Sequence, residues 1–138
     1  MGRFATVLLL LLAVGACKPA AAPQLDPNAE VFARQFYEDV RNGADLGANT
    51  HLAHELKNPT SESQLALFRA MMPDEPARSI ELESWDAKTD STGTTTRLTI
   101  DYGYSDRTLV AQTALFKSPA GTEPVIVGFQ VSGQRAAS

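Results

Sequence analysis

The stretch RSIELESWDAKTDSTGTTTRLTIDYGY, residues 78–104, decides the fold. Ahead of it apolar residues recur every three or four positions, and within it the period falls to two. Ile80 and Leu82 alternate with Glu81 and Glu83, the pattern of a strand with one face on a core and the other in water. On that alternation Trp85 falls on the glutamate side. Residues 88–94, rich in threonine, aspartate and glycine, form a turn. Leu98, Ile100, Tyr102 and Tyr104 then share one face of a second strand, opposite Arg97, Thr99 and Asp101.

Downstream, Ser105-Asp106 turns the chain into residues 107–117, where both faces are largely apolar. That predicts an interior strand, or one covered on both sides. After a turn at 118–123, Val125, Val127, Phe129 and Val131 mark a fourth strand, whose other face Gly128 interrupts as a bulge or close backbone approach. Residues 134–138 read as a frayed tail. Four strands with short links predict an antiparallel meander.

Upstream the period is helical. Asp26-Pro27 is a helix start, aspartate capping free N–H groups and proline suiting the first position. Ala29, Phe32, Phe36 and Val40 form one apolar face, Tyr37 stands at its boundary, and Asn42-Gly43 ends the helix. Residues 44–57 are a weaker helical stretch, with Leu46, Leu52, Ala53 and Leu56 as apolar members. Gly47 and Asn49 lower its propensity and favour a break into two pieces. Ser61-x-x-Gln64 is a capping box after Asn58-Pro59, and Leu65, Phe68, Met71 and Met72 are the buried stripe of the helix it opens. Pro73 and Pro76 end that helix. The class predicted is α+β: two or three N-terminal helices packed on a curved four-stranded antiparallel meander, a single domain over residues 27–133.

The first seventeen residues carry an address. Arg3, an apolar run over 5–14, then Gly15 and Ala16 make a secretory signal. The run is about half of the roughly 20 residues a spanning helix needs. Val14-Gly15-Ala16-Cys17 resembles a bacterial lipobox, although the family's consensus more often has leucine where Val14 stands. The resemblance implies a signal peptide over 1–16, a diacylglycerol thioether on Cys17, cleavage before it and acylation of the new amine. Burial of lipid is worth about 0.8 kcal/mol per CH₂, and two or three chains suffice for stable anchoring. Because Lys18 and not aspartate follows the cysteine, the resemblance also implies the periplasmic face of the outer membrane. Residues 17–26 hold Pro19, Pro23 and three consecutive alanines. At about 3.1 Å per residue such a tether reaches roughly 28 Å.

Length and charge narrow the classes further. The 138 residues, less the signal, suffice for one domain. A net charge of −4 lacks the clustered basic face that nucleic acid requires. Cys17 is the only cysteine, so lipidation leaves neither a disulfide nor a thiol nucleophile. His51 and His54, with Glu55 adjacent, would face one metal from a helix. No third ligand stands at a recognisable spacing, and both are read as solvated or capping residues. No metal, cofactor or catalytic residue is expected.

Helices first and a meander after is similar to the nuclear transport factor-like (cystatin-like) superfamily of cone-shaped domains. The resemblance rests on Phe36-Tyr37 followed by Asn42-Gly43, on Tyr102-Gly103-Tyr104, and on Val127-Gly128-Phe129-Gln130-Val131. The small bacterial lipoprotein branches look similar. The chain departs in having no strand pair between the second and third helices, which shortens the cone. The superfamily includes isomerases, dehydratases, ligand-binding modules and pairing domains, so fold does not select function. Its ketosteroid isomerase-like enzymes use a carboxylate and a tyrosine pointing into the cone. Here Asp101 alternates away from Tyr102 and Tyr104. The expectation is therefore a non-catalytic binding module for an envelope protein or an apolar ligand. Its candidate ligand-binding residues are Trp85, Tyr102 and Tyr104, and a homodimer through the exposed sheet is its variant. The alternative is an isomerase- or dehydratase-like enzyme with a pocket inside the cone under the same three residues.

Overall fold

The computed structural model describes residues 24–121 and 123–135. Cys17, the signal and the tether up to Pro23 lie outside the described residues. The elements in order are α1 (Pro27–Asn42), 3₁₀ turns at Leu46–Ala48 and His54–Leu56, α2 (Pro59–Met71), β1 (Ser79–Asp90), β2 (Gly93–Gly103), β3 (Arg107–Lys117) and β4 (Val125–Arg135). The class is α+β as predicted: two helices, then one antiparallel sheet in the order β1-β2-β3-β4.

The sequence signals at both ends of α1 act as read. The Asp26 carboxylate accepts from the Asn28 N–H at 2.9 Å, and Pro27 opens the first turn. Gly43, at φ 69°, donates its N–H to the Val40 carbonyl while Ala44 donates to that of Asp39, a Schellman ending. Tyr37 is not a boundary residue. It is buried with Ala29, Ala33, Phe36 and Val40, because its ring lies flat on a partner from β2.

Residues 44–57 form two short turns. Between them the chain runs beside β4: Ile126 N–H donates to the His51 carbonyl at 2.6 Å, and Ala53 N–H to the Ile126 carbonyl at 2.9 Å. This bridge satisfies part of an otherwise open sheet edge. The cap of α2 is Asn58, not Ser61. Its side chain accepts from the Ser61 N–H at 2.9 Å, and Pro59 takes the first helical position. Asparagine before proline is the stronger start signal of the two.

The strands stand where the period placed them, but two of them change phase. In β1, Leu82 lies opposite Ile100, Ser84 opposite Thr99 and Trp85 opposite Leu98. Glu83 is therefore an extra residue, a β-bulge, and everything beyond it is reversed. Trp85 consequently packs half-buried against the core, not on the glutamate side. In β4, Ala114 faces Gly128 while Leu115 faces Ile126, so Val127 is the extra residue. The inward set is Ile126, Phe129 and Val131, and Val127 is exposed, which splits the predicted valine face. β3 is the interior strand expected, with Leu109, Ala111 and Leu115 buried on one side and Val110 on the other. The β1–β2 turn is tighter than residues 88–94, since Asp90 already pairs with Gly93. β4 continues to Arg135, paired with Arg107, so residues 134 and 135 belong to the strand.

One core lies between the two helices and the inward face of the sheet, and Leu25 already packs against it. Among the described residues no helix covers the other face, and none is long and apolar enough to cross a membrane.

Candidate functional site

The period of β2 turns Tyr102 inward, Tyr104 follows just past the strand's end and is buried too, and α1 brings Tyr37 over them. The rings of Tyr37 and Tyr102 are stacked at 3.6 Å between centroids and 6° between planes. The hydroxyls of Tyr37 and Tyr104 share a hydrogen bond of 2.7 Å. Burial pushes all three phenols above their ordinary range. The bond to Tyr104 adds to the effect at Tyr37 and opposes it at Tyr104. Among the described residues the buried Tyr102 hydroxyl has no hydrogen-bond partner. The ring of Tyr37 fills the space over Tyr102, so the two tyrosines expected at a ligand are wall to wall with a third.

Trp85 is not among them. It pairs with Leu98, whereas Tyr102 pairs with Ile80. Four residues along a strand separate the two positions by about 13 Å. The histidines are also apart in role. The His51 ring lies on Phe32 at 4.4 Å, its Nδ1 is 3.7 Å from a Glu123 oxygen, and His54 is exposed. Among the described residues no group of three or more His, Cys, Asp or Glu is placed to hold a metal.

The outer face of the sheet offers a different arrangement. Two rows of side chains cross it: Asp86, Arg97, Ala114 and Gly128, then Ser84, Thr99, Gln112 and Gln130. Between them lies a trough of about 470 Å³, lined by these residues except Ser84. Its floor is low because Ala114 and Gly128 are neighbours across β3 and β4. The backbone does not require glycine at 128. Its φ is not left-handed, and a Cβ there would meet only the Ala114 methyl, at 3.4 Å. The missing side chain is what opens the trough.

Its walls are polar. Arg97, Gln112 and Gln130 are exposed, and Thr99 is half-buried. Asp86 faces Arg97 across the β1–β2 pair, yet no ion pair joins them. Further along, the bulged Glu83 lies beside Asp101, whose charge holds the Glu83 carboxyl above the usual range. The arrangement can bind through hydrogen bonds and one guanidinium.

Sequence reading placed Arg97 and Thr99 on the outer face of their strand. It missed Ala114, Gln112, Gln130 and the floor role of Gly128, which only the register across three strands assembles. The chain matches no family model, no curated protein and no solved structure.

Proposed function

We propose that the protein is a bacterial envelope lipoprotein. It is held at the periplasmic face of the outer membrane through lipid on Cys17 and acts as a non-catalytic binding module. The export signal, the Val14-Gly15-Ala16-Cys17 sequence and the proline-alanine tether support the address. The nuclear transport factor-like plan belongs to the same reading, and the bulges at Glu83 and Val127 favour the curvature it needs.

One observation carries the binding function: the helices gather on one face, and the other carries a glycine-floored trough walled by exposed hydrogen-bonding side chains. The working surface is then the outer sheet face, with the three tyrosines as its structural support. A photo-crosslinking residue placed at Gln112 of the full chain tests this in intact cells, with Val31, exposed on α1, as the control position. Adducts with another envelope component are expected from position 112 and not from 31. Adducts from both alike, or from neither, overturn the assignment of the face.

A further inference from the structure

We propose that the trough binds an acidic sugar, a hydroxylated ring whose carboxylate sits on Arg97; this rests on the reading that the outer sheet face is the binding surface. A guanidinium presents a planar fork that fits a carboxylate with two parallel hydrogen bonds. Arg97 is exposed, and no ion pair among the described residues takes its fork.

Beside it stand Thr99, Gln112 and Gln130 in one row. A carboxamide and a hydroxyl each donate and accept, which is what vicinal sugar hydroxyls require of a partner. The floor spans two neighbouring strands about 4.8 Å apart, a width suited to a six-membered ring. Asp86, next to Arg97, selects a singly charged carboxylate over a phosphate dianion, because a second negative charge would meet it. An extended peptide would pair with a sheet edge through its main chain. On this face the main chain of β2 and β3 is already paired on both sides.

Saturation-transfer NMR on the full chain in detergent, with sodium glucuronate and with glucose, tests the proposal. Glucuronate should bind at least about tenfold more tightly than glucose, and Arg97→Gln should abolish that advantage. Asp86→Asn should tighten glucuronate and leave glucose unchanged. Gly128→Leu should remove binding while the thermal midpoint holds, since its backbone accepts a side chain. Equal binding of the two sugars, no binding, or binding indifferent to Arg97→Gln or Gly128→Leu overturns the proposal. If glucuronate fails while Gln112 still crosslinks, the sugar is wrong and the face stands. If both fail, the face falls as well.

Discussion

Tyr37, Tyr102 and Tyr104 are all the tyrosines in the chain, so phenolate absorbance reads their cluster and nothing else. Burial raises each phenol in the folded state, whereas an unfolded tyrosine titrates near 10. The folded state therefore keeps protons that the unfolded state releases. Their contribution to stability is complete below about pH 10 and is lost as pH rises beyond it. An alkaline titration followed by absorbance and circular dichroism should give phenolate only in step with loss of structure, and the thermal midpoint should fall over the same window. Phenolate appearing in a protein that keeps its full dichroism would mean that at least one ring reaches water, and the packed reading of the cluster would be wrong.

At the scale of elements, the two hairpins place opposite demands on their glycines. Gly93 begins β2 at φ 146°, where a Cβ would run into the Lys117 carbonyl oxygen. The Asp90 carboxylate holds the same tip by accepting from the N–H groups of Thr92 and Gly93 at 2.7 and 3.2 Å. Gly93→Ala should cost about 2–3 kcal/mol, through strain and a backbone clash together. Gly128→Ala, on ordinary backbone with one methyl contact, should stay within about 0.5 kcal/mol. Denaturant midpoints compare them directly, and equal losses would contradict the geometry. These strands also mark how far local reading reaches. Caps and periods are set by neighbours in the chain, so both α1 ends and all four strands were legible. A bulge is set by the partner strand, and strict alternation misplaced Trp85 and Val127. The clue was present: Leu82 and Trp85, like Ile126 and Phe129, are three apart, and two such residues reach one core only across an extra residue. The trough was half legible, because Arg97 and Thr99 share one strand while Gln112, Gln130 and Gly128 depend on pairing.

For the whole molecule, the question is what holds it to the bilayer on the proposed reading. The described core is built from residues between Leu25 and Val131, and no described helix can span a membrane. A net charge of −4 provides no general attraction to an anionic surface. On that reading lipid on Cys17 supplies the attachment. The described chain enters the domain where Asp26 faces Lys117 at 3.6 Å. On the proposed reading a tether would join the domain at the end of the sheet where β3 finishes. Cys17→Ser should move the protein from the membrane fraction to the soluble fraction and leave its thermal midpoint within about 2 °C of the lipidated form. Fractionation and thermal circular dichroism on the same preparation measure both. A variant that stayed on the membrane would refute the lipid anchor. One that was released but melted much earlier would show that residues ahead of Leu25 take part in the fold.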